Sequence, residues 1–218
     1  MMDSLIERLS SIGLVPVVVL DDASQALPLA ETLLASGCPC MEITFRTTAA
    51  AAAVSAIASH FPEMLLGAGT LLEPDQASRA HDAGAAFGVA PGFDPEVANR
   101  ARAIGLPFVP GVSTASEMSR ALALGCRLLK FFPAETLGGV KLLKALLGVF
   151  RHTGVRVMPT GGINADNIGS WLQIPEVAAC GGSWVCEPKL IRSGDWREIS
   201  RRTSEAVQSL RTFIATLA

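Results

Sequence analysis

Short apolar runs alternate with longer amphipathic stretches along nearly the whole chain. The apolar runs end near Gly, Pro or Thr, and their length and composition are typical of buried strands. They predict eight strands, at Val15–Leu20, Cys40–Thr44, Leu65–Gly69, Phe87–Ala90, Phe108–Val112, Leu128–Phe131, Val157–Pro159 and Val177–Gly181.

Helices are predicted between the strands, because the intervening stretches carry helical periodicity and capping signals. Thr114 and Glu117 have the spacing of a capping box, and Asp94-Pro95 fits an N-cap followed by proline at the first helical position. Met1 to Ile12 is amphipathic, and we interpret it as a short N-terminal helix, not a signal peptide. The other predicted helices begin near Ser24, Thr48, Pro74, Pro95, Ser116, Gly139, Asn164 and Trp196.

Eight strands that alternate with eight helices predict an α/β fold of the (β/α)8 TIM barrel type. An open, doubly wound sheet is the rival architecture, and the count of eight favours closure. No linker, charge block or shift in composition divides the sequence, so we expect residues 1–218 to form a single domain. In such a barrel the functional site lies at the carboxyl ends of the strands.

Composition excludes several classes of function. The 218 residues carry a formal net charge of −2, which argues against nucleic-acid and anionic-membrane partners. There is no Tyr, the three His are scattered, and the five Cys form no C-x-x-C pair, so we expect neither a tyrosine catalyst nor a metal site. No apolar run approaches the roughly 20 residues of a membrane helix. We therefore expect a reduced, soluble, cytoplasmic protein.

A carboxylate and a guanidinium stand in and just after the second apolar run. Glu42, Thr44 and Arg46 are spaced two apart, so strand alternation predicts that they share one face. Charged groups on an apolar strand are costly unless they are paired or used in function. A buried structural pair of Glu42 with Arg46 is the alternative interpretation.

A single amine stands at the end of the sixth run, where Lys130 lies among large apolar residues. Desolvation disfavours the charged form of an amine, and a neutral amine is what a Schiff-base nucleophile requires. The alternative is a lysine that extends its head to water at the strand end. The residues alone do not separate these two interpretations.

Glycine-rich turns follow three of the runs. Gly67-Ala68-Gly69-Thr70 offers close backbone approach and a hydroxyl, although a lone G-x-G is more often an ordinary tight turn. Pro159-Thr160-Gly161-Gly162 and Gly181-Gly182-Ser183 follow the last two runs. Barrels often bind phosphate at the loops after strands 7 and 8, so this pair of turns predicts a phosphate site. The alternative interpretation is that the glycines only close two turns.

Three further polar or loop residues have less specific meaning. We interpret Pro91 as a residue at the mouth of the barrel that mainly shapes its loop, and Glu117 as a helix cap. Glu135 is interpreted as a solvated or loop-bracing carboxylate rather than a catalyst.

Together these motifs resemble the KDPG/KHG aldolases. That family comprises class I aldolases that cleave 2-keto-3-deoxy-6-phosphogluconate (KDPG) to pyruvate and glyceraldehyde 3-phosphate. The resemblance extends from about Val15 to about Val207, with Ala90 standing where Ser is common. It rests on Glu-Ile-Thr-Phe-Arg-Thr (42–47), Gly-Ala-Gly-Thr (67–70), Ala-Pro-Gly (90–92), Pro-Gly-Val-Ser-Thr (110–114), Leu-Lys-Phe-Phe-Pro-Ala-Glu (129–135), Pro-Thr-Gly-Gly-Ile (159–163) and Gly-Gly-Ser-Trp (181–184).

The resemblance implies a role for each candidate. Lys130 would be the Schiff-base lysine and Glu42 the catalytic acid/base. The implied substrate-binding residues are Arg46 and Thr70 at the pyruvate carboxylate, Pro91 and Phe132 lining the pocket, Thr160 near the sugar hydroxyls, and Gly161, Gly162, Gly182 and Ser183 at the phosphate. It implies no cofactor and no metal, a small phosphorylated keto acid as the substrate, and a homotrimer.

Other functions stay open at this point. Sister aldolases act on the galactonate analogue of KDPG, which differs at one hydroxyl, or on 4-hydroxy-2-oxoglutarate, which lacks the phosphate. The hydroxyl of Thr160 and the intact Gly-Gly turns favour KDPG. A phosphosugar isomerase or epimerase would share the phosphate loops without needing a buried lysine. A catalytically silent sugar-phosphate binder would not need Glu42, Arg46 and Lys130 together.

Overall fold

The computed structural model describes residues 1–217, with side chains through residue 212. Its strands are β1 (Leu14–Val18), β2 (Cys40–Thr44), β3 (Leu65–Gly69), β4 (Phe87–Val89), β5 (Phe108–Val109), β6 (Gly111–Val112), β7 (Leu128–Phe131), β8 (Arg156–Pro159) and β9 (Cys180–Gly182). Its α-helices are α1 (Met2–Ile12), α2 (Ala26–Ala35), α3 (Ala50–His60), α4 (Pro74–Asp82), α5 (Pro95–Ala103), α6 (Ala115–Ala123), α7 (Gly139–Phe150), α8 (Ile168–Leu172), α9 (Pro188–Ser193) and α10 (Trp196–Leu217). Short 3-10 helices lie at Ala23–Gln25, Arg151–Thr153 and Trp184–Cys186.

The strands form a curled parallel sheet with helices between them, as the α/β prediction requires. Six strands pair in the order β5-β4-β3-β2-β1-β9, and three pair in the order β6-β7-β8. Two isolated parallel bridges, Val157↔Val177 and Thr160↔Gly181, connect β8 with the chain at β9. Where a closed ring of eight strands was predicted, the structure thus shows two sheets joined by two bridges.

The predicted fifth strand, Phe108–Val112, is divided at Pro110 into β5 and β6. Proline has no backbone N–H to donate to a neighbouring strand, which interrupts the regular pairing. Its carbonyl still accepts the N–H of Lys130 at 2.8 Å. Both short strands therefore keep parallel neighbours, β4 for β5 and β7 for β6.

Several predicted boundaries differ from the structure. β1 covers Leu14–Val18 rather than Val15–Leu20, and β9 covers Cys180–Gly182 rather than Val177–Gly181. The helix predicted from Asn164 begins only at Ile168, because the Asn164 side chain accepts the N–H groups of Asp166 and Asn167 and holds a turn there. The short helix α9 was not predicted.

Two layers of apolar side chains pack on opposite faces of the strands. The outer layer lies between strands and helices and includes Met41, Ile43 and Leu129. The inner layer takes the alternate residues, among them Val15, Cys40, Leu65 and Leu128, together with Leu5, Ile6 and Leu9 of α1. These strand residues lie near the amino ends of their strands, so α1 covers that end and leaves the carboxyl ends for a site.

The predicted caps and the N-terminal helix are confirmed. Thr114 and Glu117 form the capping box of α6, and the Asp94 side chain accepts the N–H groups of Glu96 and Val97 at the start of α5. In residues 1–217 there is no helix of the length and apolarity that crossing a bilayer requires.

Candidate active site

A carboxylate and an amine from distant parts of the chain meet inside the strands. Glu42 in β2 and Lys130 in β7 are 88 positions apart in sequence, and Glu42 Oε1 lies 3.3 Å from Lys130 Nζ. Glu42 is fully buried and Lys130 is 4% exposed. Moving charges out of water is costly unless they pair, so this contact explains why an apolar interior tolerates both side chains.

This contact decides between the interpretations left open by the sequence. Lys130 is buried and does not extend its head to water. Glu42 pairs with Lys130 and not with Arg46, which lies exposed in the turn after β2. β2 ends at Thr44, so the strand alternation that predicted a shared face applies to Glu42 and Thr44 and does not reach Arg46. The Thr44 hydroxyl donates to the Val18 carbonyl at 3.0 Å.

Arg46 is a cation at the carboxyl ends of the strands. Within residues 1–212 its guanidinium takes part in no salt bridge. A guanidinium forms two parallel hydrogen bonds to a carboxylate, which makes arginine well suited to an acidic ligand group. Arg46 thus follows the carboxyl end of β2, the strand that carries Glu42, and has no ion-pair partner within residues 1–212.

Gly69 provides the space that the Glu42 carboxylate occupies. A Cβ atom at position 69 would overlap Glu42 Oε1 and would lie 2.6 Å from its Cγ and Cδ atoms. Gly67, two residues earlier in β3, gives the same kind of space to the ring of Phe87. The sequence suggested a turn or a ligand contact for these glycines. Their observed role is to admit the side chains of neighbouring strands.

The two carboxylate oxygens of Glu42 have different surroundings. Oε1 contacts Lys130, whereas Oε2 is buried and accepts no hydrogen bond from the part of the chain that the structure describes. An acid/base group must be able to reach the atom with which it exchanges a proton. Oε2 is therefore a buried acceptor without a partner among the described residues.

Thr70 follows β3 directly and has an unusual backbone conformation. Its φ of 59° makes it the one non-glycine residue with positive φ in residues 1–217. For a β-branched residue this left-handed conformation is a true outlier, and such strain concentrates at functional sites. Thr70 is half-exposed and places its hydroxyl-bearing side chain just after the carboxyl end of β3.

An aromatic ring and a proline loop lie beside Lys130. The Lys130 Nζ atom is 5.4 Å from the centre of the Phe132 ring, within the range of a cation–π contact. Gly111 is in register with Lys130 on the neighbouring strand, and its N–H donates to Gly92 O at 3.1 Å. A side chain at Gly111 would overlap the carbonyl of Pro91. Pro91 is therefore held against the strand next to the lysine.

The two glycine turns predicted to bind phosphate lie together. The bridge between Thr160 and Gly181 brings the end of β8 against β9. Gly161 and Gly162 have φ of 100° and 78°, which side chains rarely adopt. Thr160 is 5% exposed and its hydroxyl donates to the Met158 carbonyl at 3.4 Å. Thr160 is therefore less exposed than we expect for a residue that lies near the sugar hydroxyls.

The second turn presents Ser183 at its surface. Gly182 is buried, and a Cβ atom there would overlap the ring of Trp184. Ser183 is exposed and precedes the 3-10 helix Trp184–Cys186 without capping it through its side chain. The Ser183 hydroxyl thus does not cap this helix. Gly182, by contrast, is needed because the Trp184 ring packs against it.

A hydrogen-bonded group behind the first turn was largely missed by sequence reasoning. The Glu135 carboxylate accepts the indole N–H of Trp171 at 2.8 Å and the amide N–H of Asn167 at 3.3 Å. This agrees with the interpretation of Glu135 as a loop-bracing carboxylate. Neither Trp171 nor Asn167 was named in the sequence analysis, because they lie more than 30 positions from Glu135 and no local pattern connects them with it.

The cysteines offer no rival nucleophile. All five are free and buried. Burial raises the pKa of the Cys38 thiol to about 12, and it raises the pKa of Cys40 well above its ordinary value. Since the thiolate is the reactive form, these residues are inert near neutral pH. The described residues contain no group of three His, Cys, Asp or Glu placed to hold a metal.

Comparison with known proteins gives one consistent family. The family model described as KDPG and KHG aldolase matches residues 5–202. A 2-dehydro-3-deoxy-phosphogluconate aldolase from Haemophilus influenzae is 43% identical over 207 residues, covering 95% of this chain and 97% of the relative. A KHG/KDPG aldolase from Escherichia coli is 40% identical over 194 residues, covering 89% of this chain and 90% of the relative.

A solved structure is also closely similar. The KDPG aldolase of Legionella pneumophila, crystallised with pyruvate captured at low pH as a covalent carbinolamine intermediate, superposes with a TM-score of 0.87. It is 37% identical, and the match covers 91% of this chain and 95% of that one. The likeness therefore extends over most of both chains.

Proposed function

This chain belongs to the KDPG and KHG aldolase family, and we propose that it cleaves KDPG to pyruvate and glyceraldehyde 3-phosphate as a class I aldolase. The observation that carries this proposal is the buried contact of 3.3 Å between Glu42 and Lys130. An amine nucleophile and an acid/base group side by side are the two parts that Schiff-base chemistry needs. The Legionella pneumophila relative, solved as a covalent carbinolamine, supports the same chemistry.

The first half of the reaction forms the imine. The neutral Nζ of Lys130 attacks the C2 keto carbon, and the former carbonyl oxygen gains a proton to give a carbinolamine. That oxygen then leaves as water, which produces a protonated imine between Lys130 and the substrate. Glu42 contacts Nζ and transfers to the departing oxygen the two protons that the nitrogen loses, one when the ammonium becomes the attacking amine and one after the attack.

The second half breaks the carbon–carbon bond. Glu42 takes the proton of the C4 hydroxyl, and the C3–C4 bond breaks to release glyceraldehyde 3-phosphate. The bonding electrons move through C2 onto the imine nitrogen, so the product left on the enzyme is an enamine. Protonation at C3 and addition of water at C2 then release pyruvate and restore the Lys130 amine. The positive imine nitrogen is the electron sink, and the scheme requires no metal.

The substrate-binding assignments follow the carboxyl ends of the strands. Arg46 and Thr70 hold the carboxylate at the pyruvate end, with charge-assisted hydrogen bonds from the guanidinium. Phe132 and Pro91 line the pocket beside the imine. The backbone N–H groups of Gly161, Gly162 and Gly182 and the hydroxyl of Ser183 hold the phosphate, with Thr160 beside them. Glycine backbones hold phosphate in this way at other barrel sites.

The substrate could also be a sister compound. The Escherichia coli relative, named a KHG/KDPG aldolase, illustrates that one member can carry both names. The galactonate analogue of KDPG remains a second candidate. The paired glycine turns favour a phosphorylated substrate, because an unphosphorylated one would leave Ser183 without a ligand. An isomerase or epimerase on the same fold is disfavoured, since it has no use for the buried Lys130.

We also propose that the curled sheet is a closed (β/α)8 barrel in a single domain. Joining β5 and β6 across Pro110 makes eight strands, and β9 pairs with β1. The bridges at Val177 and Gly181 supply the contact between β8 and β9. A single inner cluster collects side chains from β1, β2, β3, β4, β5, β7 and β8, which supports one enclosed interior.

For assembly and location we propose a cytoplasmic homotrimer, as the family resemblance implies. Charged residues make up only 17% of the chain, against about 25% in ordinary domains, and Leu72 and Val149 are 56% and 64% exposed. Both features favour a surface that is partly buried between subunits. The five free thiols favour a reducing compartment.

Pyruvate release tests the proposed substrate. We expect KDPG to be cleaved with a higher kcat/KM than its galactonate analogue and than unphosphorylated 4-hydroxy-2-oxoglutarate, measured by coupled reduction of the pyruvate formed. A preference for 4-hydroxy-2-oxoglutarate would overturn the phosphate assignment. No pyruvate from any of the three would overturn the aldolase.

A further inference from the structure

Glu135 connects the loop after β7 with the Gly161–Gly162 turn after β8. Its backbone N–H donates to Gly161 O at 3.0 Å, and the N–H of Ala134 donates to Thr160 O at 2.8 Å. The segment after β7, the strand that carries Lys130, is therefore hydrogen-bonded directly to the segment after β8. Both carbonyls belong to the segment assigned to the substrate and its phosphate.

The Glu135 side chain extends this connection through two donors. Its Oε1 atom accepts the indole N–H of Trp171 at 2.8 Å and the Asn167 amide at 3.3 Å. The same Asn167 nitrogen donates to Gly162 O at 2.9 Å. The Trp171 ring is fully buried and fixes one end of this network in the core. Glu135 and Asn167 together hold Gly162 from two sides.

Gly162 packs against Glu135 without room for a side chain. A Cβ atom at position 162 would lie 2.6 Å from the Glu135 Cβ and 2.8 Å from its Cγ, and the φ of Gly162 is 78°. The Gly161–Gly162 turn is thus seated on the Glu135 side chain, with Gly161 O bonded to Glu135 and Gly162 O bonded to Asn167. The Glu135 carboxylate acts on this turn through Asn167, whose amide donates to Gly162 O.

From these contacts we infer that Glu135 is a positioning residue that sets the distance between the imine at Lys130 and the phosphate-binding turn. The inference rests on the proposed function and deepens it. The enzyme would select keto acids whose phosphate lies a fixed number of bonds from the keto carbon. Glu135 itself touches neither the reacting atoms nor the phosphate.

The test separates phosphate recognition from imine chemistry. For Glu135→Ala we expect KM for KDPG to rise about tenfold, the cost of losing one hydrogen bond to a charged group, while kcat changes less than twofold. Lys130 lies on the strand itself and keeps its partner Glu42. Pyruvate imine trapping and hydrogen exchange at pyruvate C3 should therefore stay at the wild-type level.

Companion variants exclude a merely structural effect. Glu135→Gln keeps an acceptor oxygen for Trp171 and Asn167, so its KM for KDPG should be close to that of the wild type. Asn167→Ala should raise KM as Glu135→Ala does, because it releases Gly162 O. Thr136→Ala, at the exposed neighbouring position, should match the wild type.

Two results would overturn the inference. One is an unchanged KM for KDPG in Glu135→Ala. The other is an equal loss in KDPG cleavage and in pyruvate exchange, which would show a general disturbance of the fold. The wild-type protein distinguishes these failures from a failure of the proposed function. If it forms no imine with pyruvate, the proposed aldolase itself is wrong, whereas a normal imine with an unchanged KM in Glu135→Ala overturns only the role of Glu135.

Discussion

Glu42 and Gly69 share one space between β2 and β3. The carboxylate of Glu42 lies where a Cβ atom of residue 69 would be, and from there it reaches Lys130 Nζ at 3.3 Å. The absence of a side chain on one strand thus determines the position of a charged group on the next. The proposed chemistry depends on this relationship, because the acid/base and the amine must be adjacent.

Gly69→Ala should therefore lower kcat strongly and the free energy of unfolding only moderately. The added methyl group forces the Glu42 side chain to turn away from Lys130. We expect kcat for KDPG cleavage to fall about a hundredfold, as for a misplaced catalytic group, and the free energy of unfolding to fall by about 1–3 kcal/mol for an overpacked interior.

Gly67→Ala is the matched control for this prediction. It overpacks the same strand against Phe87 instead of Glu42. It should lower the free energy of unfolding by a similar amount and keep most of the activity of the folded enzyme. Equal kcat values in the two variants would contradict the role assigned to Gly69.

Glu42→Gln should separate proton transfer from pyruvate binding. The amide keeps the shape of the side chain but cannot exchange protons at a useful rate. Deuterium exchange at C3 of pyruvate, followed by NMR, should fall about 10²–10⁴-fold, the usual range for losing a general acid/base. Pyruvate binding should be largely retained. Exchange at the wild-type rate would count against Glu42 as the acid/base.

The phosphate loops should affect phosphorylated substrates selectively. Ser183→Ala removes a hydroxyl donor, and we expect KM for KDPG to rise about tenfold because a hydrogen bond to a charged group is lost. Gly162→Val should raise KM for KDPG at least as much, because residue 162 has positive φ and contacts Glu135. Pyruvate exchange should change little in either variant. An equal loss for both compounds would argue against a phosphate site here.

The capping box of α6 should contribute to stability in a pH-dependent way. Partial burial raises the pKa of Glu117, but its hydrogen bonds from Ser113 and Thr114 outweigh this and hold it below its ordinary value. A carboxyl group with a lowered pKa in the folded state stabilises the protein above its unfolded pKa of about 4.3, and this contribution is lost as the pH falls through the folded value.

Urea unfolding of the wild type and of Glu117→Gln at several pH values measures this contribution. The difference in free energy of unfolding should be largest near neutral pH and should shrink progressively below about pH 4. A difference that is constant with pH, or that grows in acid, would show that the carboxylate is not the stabilising form.

Sequence reasoning located the two central residues for a physical reason. Glu42 and Lys130 are charged groups in otherwise apolar strands, and an apolar strand tolerates such groups only when they are paired or used. The strand pattern alone did not pair them, because 88 positions separate the two and Arg46 was the alternative partner of Glu42. Only the curl of the sheet brings β2 and β7 face to face.

Other features depend on neighbours that a single sequence does not reveal. The role of Gly69 depends on Glu42 across the strand pair, and the network at Glu135 depends on Trp171 from a later helix. The left-handed conformation of Thr70 runs against the preference of its residue type. The break at Pro110 was readable in principle, since proline cannot complete a strand ladder.

Trapping the imine tests the central claim most directly. The protein is incubated with pyruvate and sodium borohydride, and the adduct is located by mass spectrometry of peptides. We expect a reduced pyruvyl adduct on Lys130 alone, with none on Lys141, Lys144 or Lys189. Lys130→Met should fold, trap nothing and cleave no KDPG, whereas Lys144→Met should behave as the wild type. No adduct, or an adduct at another lysine, would contradict the account.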